Sequence, residues 1–155
     1  MAVNKTKRGG TDGPVDRLRR LLDAQRVAVL ASHRDGQPYC SLVAFARSAD
    51  TKSLLFATSR STRKFANLLA DPRAAMMIDD RERLDRSLTS VTGVTAMGRI
   101  EELPTRATSR LFKRYLAKHP YLEGFVNSPN CALLRIKVDK YVMVDRFQHV
   151  VEVTL

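Results

Sequence analysis

The sequence of 155 residues contains no tryptophan, few aromatic residues and only two cysteines. It has no apolar run near the ~20 residues of a membrane span, so we expect no transmembrane helix and no membrane partner. The first residues carry charge but lack the apolar core of a secretory signal. We therefore expect residues 1–13 to form a disordered basic lead-in and residues 14–155 to form one domain of a cytoplasmic protein.

The two cysteines, Cys40 and Cys131, belong to no CxxC pair, and each lies in strand-like sequence. Isolated cysteines of this kind behave as small hydrophobic residues in a reducing compartment. We expect both side chains to be buried. A disulfide, or one thiol that takes part in chemistry, is the alternative.

Several motifs of enzymes and metal proteins are missing. The sequence has neither a GxGxxG nor a GxxxxGK[ST] loop, and it has no nucleophile elbow, so dinucleotide-type, nucleoside triphosphate and hydrolase chemistry are disfavoured. His33, His119 and His149 have no metal-ligand spacing with one another, with cysteine or with a carboxylate. We expect no metal site, and we expect surface or capping roles for the histidines.

Basic residues are in excess. Lysine and arginine total 27 against 16 acidic residues, which gives a formal net charge of +11. Such a charge suits nucleic acid, an anionic surface or an acidic small molecule. Aromatic residues make up only 6%, and the basic residues do not gather on one element. Nucleic-acid binding is therefore kept as the less favoured alternative.

The apolar periodicity predicts three helices and about six strands, joined by tight turns in the first half. This order favours an antiparallel sheet or small barrel flanked by helices, of the α+β class. Gly93 and Gly98 in the fifth strand indicate a bulge or a close backbone approach. We expect helices from residue 14, at 62–70 and at 104–119, strands at 26–33, 39–48, 53–59, 73–79 and 91–103, a loop at 80–90, one long strand or two from residue 131, and a short last strand.

One junction between a strand and a helix is unusually polar. It contains four hydroxyl side chains (Thr58, Ser59, Ser61 and Thr62) and three cations (Arg60, Arg63 and Lys64). A helix N-terminus is already positive, so without a ligand each misplaced cation costs ~0.3–1 kcal/mol. A phosphate would reverse the sign of this effect by accepting from free N–H groups, hydroxyls and cations. The pattern indicates a phosphate site, with ordinary serine or threonine capping as the alternative.

Three ordered segments carry a family resemblance: DGQPYCSLVAF, LLFATSRSTRKFANLLADPRAAMMI and VTGVTAMGRIEEL. Together they resemble the pyridoxamine 5'-phosphate oxidase-like FMN-binding split barrels over roughly residues 16–153. The most specific part is a strand that ends in threonine, followed by a Ser/Thr-Arg-Lys triplet that opens a helix. The resemblance implies a mainly β domain with flanking helices, built on an antiparallel six-stranded split β-barrel that binds FMN.

The same resemblance implies site residues and a partner. In the family, the threonine and the Arg-Lys pair bind the FMN phosphate, and the second strand follows the flavin and ribityl chain through backbone groups. FMN lies between two protomers, so a homodimer is implied, with Asn127 and Ser128 as a weaker match to the segment that the partner contributes. The implied cofactor-binding residues are Thr58, Ser59, Arg63 and Lys64 for the phosphate, and Ser41, Leu42, Val43 and Ala44 for the flavin and ribityl chain.

The sequence also departs from true pyridoxamine phosphate oxidases. Ser41 and Ala46 stand where those enzymes have arginine and lysine at the ends of the second strand, and the C-terminus lacks their tryptophan and Arg-Leu pair. The resemblance therefore implies a short, divergent member that transfers electrons or hydride through FMN, with a small molecule as substrate or electron donor. No catalytic acid or base can be assigned. A flavin- or haem-binding protein without catalysis is the alternative.

Overall fold

The computed structural model describes residues 12–83, 87–104 and 109–155. The expected lead-in falls almost wholly outside these residues, and the domain begins with Gly13 at the N-cap of the first helix. The helices are α1 (Pro14–Ala24), α2 (Arg63–Ala70), α3 (Arg110–Lys118) and α4 (Glu123–Val126), and the strands are β1 (Val27–Arg34), β2 (Gln37–Arg47), β3 (Ser53–Ser59), β4 (Arg73–Asp79), β5 (Gly93–Glu102), β6 (Cys131–Asp145) and β7 (His149–Val153).

The strands form one antiparallel sheet that closes on itself. Their order is β3-β2-β1-β4-β5-β6-β7, and a further pairing of β3 with β6 closes the first six into a barrel. The seventh strand pairs only with the C-terminal half of β6. The predicted six-stranded antiparallel β-barrel with flanking helices is therefore confirmed, and the expected short last strand lies beside the barrel.

Apolar side chains fill the barrel and extend under the helices. Leu18, Leu21 and Leu22 of α1 are buried in the same cluster as the strand residues of the barrel interior. A second cluster lies outside the barrel wall, where α3 and α4 cover β2, β3 and β6. It is built from Ala46, Leu55, Phe112, Tyr115, Val126 and Leu133.

The sixth strand closes the barrel by pairing with strands on both of its edges, and its close approach to β5 requires a glycine in β5. It is 15 residues long and pairs with β3, β5 and β7. The ladder between β5 and β6 shifts register between Met97 and Gly98. A Cβ at Gly98 would lie 1.9 Å from the carbonyl oxygen of Lys137, so only glycine fits here without a backbone shift. The bulge and close approach expected at Gly98 are confirmed.

Two segments differ in detail from the sequence prediction. The described part of the third helix begins at Arg110 with Ser109 as its N-cap, and the predicted start at 105–108 lies outside the described residues. The region predicted as a loop at 80–90 contains short 3-10 turns at Arg81–Arg83 and Leu88–Ser90. Over the described residues, no helix has the length and apolar character needed to cross a membrane.

One prediction of burial was wrong in part. Cys131 is buried as expected, but Cys40 is exposed because it lies on the outward face of β2. His119 ends α3 as its C-cap, which is one of the two roles expected for it, and its side chain is fully buried. The alternation of a strand gives two faces but does not say which of them meets the core.

Candidate functional site

The cleft of interest begins where β2 and β3 separate. Their ladder pairs only Phe45, Ala46 and Arg47 with Phe56, Leu55 and Leu54. Ser41–Ala44 keep their pairing with β1 but have no ladder pair with β3. The barrel is therefore split over this stretch of the described sheet, and one edge of β2 is open.

The open edge exposes backbone groups of alternate residues. The Phe45 N–H donates to Arg26 O on the β1 side at 3.2 Å. Because backbone groups alternate in direction along an antiparallel strand, those of Leu42 and Ala44 are directed away from β1. The Leu42 side chain is 72% exposed. This edge can therefore offer hydrogen bonds and an apolar surface to a flat ligand.

The other predicted residues of β2 have different surroundings. Val43 is buried in the barrel core, so it can offer a ligand only its backbone. The hydroxyl oxygen of Ser41 is buried and has no hydrogen-bond partner within the described structure. An unpartnered buried polar group costs about 1–3 kcal/mol. Ser41 is therefore a group that a ligand could satisfy.

The threonines of the strand–helix junction shape the start of α2. Thr62 is the N-cap, and its hydroxyl oxygen accepts from the Phe65 N–H at 3.3 Å. The same hydroxyl donates to Ser59 O at 2.9 Å. Thr58 is buried, with its hydroxyl oxygen 3.0 Å from that of Thr62. The predicted phosphate residue Thr58 thus lies under the turn, directly beside the capping residue.

The serines of the junction are held by a residue that the sequence analysis missed. Asn130 Nδ2 donates to the Ser59 hydroxyl at 2.8 Å, and Asn130 O accepts from the Arg60 N–H at 2.9 Å. The hydroxyl oxygens of Ser59 and Ser61 are 2.8 Å apart. Asn130 immediately precedes β6, whose first residue pairs with Ser59, and only this long-range pairing could have indicated its role.

The three cations of the junction fall into two groups. Arg60 forms a two-pronged ion pair with Glu102 and lies over the Phe65 ring. Arg63 and Lys64 have no carboxylate within 4.0 Å among the described residues. Since α2 has no acidic residue in its first turn either, two cations at its N-terminus lack a neutralising partner.

The structure brings the open edge and the junction together. The guanidinium carbon of Arg63 lies 5.3 Å from the centre of the Tyr39 ring, two residues before Ser41 on β2. The two groups of predicted site residues therefore border one cleft. Asn127 and Ser128 lie at the end of α4, where the Ser128 hydroxyl donates to Phe125 O at 2.8 Å.

Helix α3 supports β2 from behind the cleft. The Tyr115 hydroxyl donates to Ala44 O at 3.2 Å, and His119 Nε2 lies 2.8 Å from Phe45 O. Burial raises the pKa of Tyr115 and lowers the pKa of His119, so both side chains stay neutral near pH 7. Ala46 is buried against Tyr115, and a lysine at this position would have to enter the same apolar cluster.

The remaining histidines are engaged elsewhere. His33 Nε2 lies 3.2 Å from a carboxylate oxygen of Asp71, and His149 Nδ1 lies 2.7 Å from one of Asp145. Among the described residues, no three histidine, cysteine or acidic side chains lie together in a way that could hold a metal ion.

The donor set of the cleft fits a phosphorylated flavin. Two cations without a carboxylate partner in the described structure, together with hydroxyls and a helix N-terminus, suit a phosphate dianion. The open backbone edge of β2 and the buried hydroxyl of Ser41 suit the polar atoms of a ribityl chain and ring system.

Comparison with known proteins shows the family and the fold of the chain. The sequence model described as "Pyridoxamine 5'-phosphate oxidase" matches residues 15–145. A search of curated proteins found no match.

Solved structures share the fold. A haem-binding protein from Mycobacterium smegmatis has a TM-score of 0.76 at 19% identity, over 87% of this chain and 55% of that one, so this chain spans about half of its length. A FAD-binding protein from Mesorhizobium loti has a TM-score of 0.64 at 25% identity, over 83% and 90%. The haem storage protein HutZ from Vibrio cholerae has a TM-score of 0.67 at 15% identity, over 84% and 93%.

Proposed function

Since the chain belongs to the pyridoxamine 5'-phosphate oxidase family, we propose that it is an FMN-dependent oxidoreductase acting on a small molecule. The observation that supports this most is that Arg63 and Lys64, at the helix start that borders the open edge of β2, have no carboxylate partner among the described residues. A phosphate monoester carries about two negative charges near neutral pH, as phosphorylated side chains do. Two cations without carboxylate partners match that charge.

Different residues of the cleft would bind different parts of FMN. Arg63 and Lys64 would hold the phosphate by charge-assisted hydrogen bonds, and Ser59 would add a neutral donor. The backbone of Leu42 and Ala44 would orient the ring and ribityl chain, with the Ser41 hydroxyl able to bond to the same chain. Val43 would contribute through its backbone alone, because its side chain fills the core.

When bound, FMN would supply the chemistry of hydride or electron transfer. The protein would fix the ring beside an apolar wall and exclude water from it. Backbone N–H groups at the open edge would stabilise negative charge that develops on the ring. We assign no side chain as a catalytic acid or base.

We also propose that a second copy of the chain completes the site. Leu42, Val29 and Met77 lie in one row across β2, β1 and β4 on the outside of the barrel. Leu42 and Met77 are 72% and 45% exposed, and Val27 on the next row is 54% exposed. An apolar row of this kind is typical of a protein–protein interface. It would bring a partner chain next to the open edge, as the resemblance implies.

Haem binding is the second candidate, because two proteins of the same fold are a haem-binding protein and a haem storage protein. Within the described structure, His33 and His149 are paired with carboxylates and His119 is buried. For one of these histidines to bind haem iron, it would have to leave its carboxylate partner or its buried position. We therefore rank haem below FMN.

One set of measurements tests both candidates. The purified protein is titrated with FMN, FAD and haem, and its mass in solution is measured by light scattering. We expect flavin absorbance, tighter binding of FMN than of FAD, and a dimer. The FMN-loaded protein is then mixed with NADH, NADPH or a reduced deazaflavin, and bleaching of the flavin identifies the donor. A protein that binds haem but no flavin would contradict the proposal.

A further inference from the structure

A chain of hydrogen bonds connects Asn130 with the two serines of the strand–helix junction. Asn130 Nδ2 donates to the Ser59 hydroxyl oxygen at 2.8 Å and lies 3.5 Å from the hydroxyl oxygen of Ser61. The backbone N–H of Ser61 also donates to the Ser59 hydroxyl oxygen, at 3.3 Å. The two hydroxyl oxygens are themselves 2.8 Å apart. The direction of each bond decides which hydroxyl proton is left for a ligand.

This direction follows from the bonds that Ser59 already accepts. A hydroxyl oxygen has two lone pairs and one proton. Both lone pairs of Ser59 are used, by the Asn130 amide and by the Ser61 N–H, so in the contact between the two hydroxyls it is Ser59 that donates. The Ser61 oxygen therefore accepts from Ser59, and its own proton has no acceptor among the described residues.

The two threonines of the junction use their protons internally. Thr62 Oγ1 accepts from the Phe65 N–H at 3.3 Å and donates to Ser59 O at 2.9 Å. Thr58 is buried, and its hydroxyl lies 3.0 Å from Thr62 Oγ1 and 3.3 Å from Ser59 O, so its proton goes to one of these acceptors. Within the described structure, Ser61 is thus the one hydroxyl of the four with a free proton, and its side chain is exposed.

Backbone donors lie next to this hydroxyl in the chain. Thr62 accepts from the N–H groups of Phe65 and Ala66, the latter through its backbone oxygen at 3.2 Å. The N–H groups of Arg63 and Lys64, the first two residues of α2, have no acceptor in the part of the chain that the structure describes. One free O–H and two free N–H groups therefore occur together within residues 61–64.

We propose that Asn130 is a positioning residue that turns the Ser61 hydroxyl proton toward the phosphate of the bound flavin, so that Ser61 is the hydroxyl that donates to it. The inference rests on the function proposed above, since it takes the phosphate to bind at the start of α2. Ser59 then adds its hydroxyl to the site through Ser61, to which it donates. A hydroxyl that is already oriented binds more tightly than a freely rotating one, because the ligand does not have to order it.

Asn130 is held in place by the closure of the barrel. Its backbone oxygen accepts from the Arg60 N–H at 2.9 Å. The next residue, Cys131, is fully buried and pairs with Ser59 in the ladder between β3 and β6. The orientation of the serine hydroxyls is therefore set by a residue that lies 71 positions after Ser59 and reaches it only in the closed barrel.

The test is a double-mutant cycle of Ser61→Ala and Asn130→Ala, in which each protein is titrated with FMN and with riboflavin. Riboflavin has the ring and ribityl chain but no phosphate, so it reports on the rest of the site. Ser109→Ala is the control variant, because Ser109 is the N-cap of α3 and its hydroxyl oxygen accepts from the Leu111 N–H at 3.2 Å. Ser61→Thr keeps a hydroxyl at the same position and serves as the rescue.

We expect Ser61→Ala to weaken FMN about tenfold, as for loss of one hydrogen bond to a charged group, and to leave riboflavin within about twofold of wild type. Ser61→Thr should recover most of this loss. Asn130→Ala should weaken FMN about threefold or more in the wild-type background, and it should have no further effect once residue 61 is alanine. Ser109→Ala should leave both ligands within about twofold.

The outcomes separate the inference from the proposed function. Equal weakening of FMN by Asn130→Ala with serine and with alanine at position 61 would show that Asn130 only supports the turn, and the inference would be wrong. Unchanged FMN binding in Ser61→Ala would also overturn it, while leaving the proposed function intact. If wild type binds neither flavin, it is the proposed function that fails.

The phosphorus NMR resonance of bound FMN gives a second readout that a purely structural role would not move. Loss of the oriented donor changes the hydrogen bonding of the phosphate, so the resonance should shift in the same direction in Ser61→Ala and in Asn130→Ala. Ser109→Ala should leave it at the wild-type position. A resonance that moves in Ser61→Ala but stays in place in Asn130→Ala would show that the Ser61 proton does not depend on Asn130, which contradicts the inference.

Discussion

The two ends of the β2–β3 pair differ in whether their polar groups find partners within the chain. At the closed end, residues 45–56, the strands form a ladder and the polar side chains find partners within the chain. Arg47 bonds to both carboxylate oxygens of Asp23 at 2.8 and 2.7 Å, and the Ser48 hydroxyl lies 2.6 Å from a carboxylate oxygen of Asp50. This end is complete without any other molecule.

At the open end, residues 39–44 and 57–64, the same strands leave groups without partners. The Ser41 hydroxyl is buried and unpaired, and Arg63 and Lys64 have no carboxylate nearby in the described structure. Burial of apolar groups and pairing of polar ones stabilise the closed end, whereas the open end gives up stability. The contrast supports the proposal that the open end binds a ligand.

The largest effect should come from the closed end. Phe56→Ala removes a fully buried ring that faces Phe45 across the ladder, and we expect the free energy of unfolding to fall by about 3–5 kcal/mol. Urea unfolding followed by circular dichroism measures the loss. A loss below about 1 kcal/mol would contradict the tight packing described here.

At the open end, the double change Arg63→Ala and Lys64→Ala should weaken ligand binding without lowering stability. We expect FMN binding to weaken by about 2–4 kcal/mol, because two charge-assisted contacts to a dianion are lost. Stability without ligand should be unchanged or rise slightly, since two cations leave a positive helix end. Riboflavin, which has no phosphate, serves as the control ligand and should bind unchanged. Undiminished FMN binding in the double variant would disprove the phosphate assignment.

A smaller effect concerns Lys118, a partly buried lysine near the closed end. Lys118 Nζ donates to Leu22 O at 2.7 Å and lies 4.2 Å from the centre of the Phe45 ring. Burial, helped by Arg47, Arg114 and Arg26, lowers its pKa to about 8. The folded state therefore releases this proton before the unfolded state does, and stability should rise between about pH 8 and pH 10.4.

The size of that rise should be on the order of 1 kcal/mol, after allowance for solvent screening of a partly exposed amine. Urea midpoints across the pH range would measure it. Lys118→Met keeps the apolar stem without the charge and should remove this part of the pH dependence. Parallel pH profiles for wild type and variant would contradict the lowered pKa.

The smallest effect on FMN binding is expected for Arg60, which differs from Arg63 and Lys64 in having a carboxylate partner. Arg60 is already paired with Glu102, so Arg60→Ala should change the FMN dissociation constant by no more than about twofold. A loss as large as that of the Arg63 and Lys64 variant would show that all three cations act alike and would remove the distinction drawn here.

The sequence predicted the strands well because their alternation and turn residues are local features. The boundaries of β3 and β4 agree with those predicted, and the polar junction was recognised from hydroxyls and cations that lie within seven residues. The family resemblance then supplied the barrel, which local patterns could not distinguish from an open sheet.

What escaped prediction depends on contacts between distant residues. Tyr115 has the spacing of an ordinary core residue of α3, and nothing local indicates that its hydroxyl reaches Ala44, 71 positions earlier. Cys40 was assigned to the wrong environment because the alternation of β2 does not identify the inner face. Asn130 meets Ser59 only after β3 and β6 have paired.

That last pairing also has a consequence for how the chain is made. The barrel closes when Ser53–Ser59 pairs with residues 131–137, so most of the chain must leave the ribosome before β3 acquires its second neighbour. Such distant pairing slows folding, and until it occurs the edge of an apolar strand is free to associate with other chains. A chain whose translation pauses or stops before Cys131 would therefore be an intermediate that is prone to aggregate. Expression at low temperature or with chaperones should favour the closed barrel.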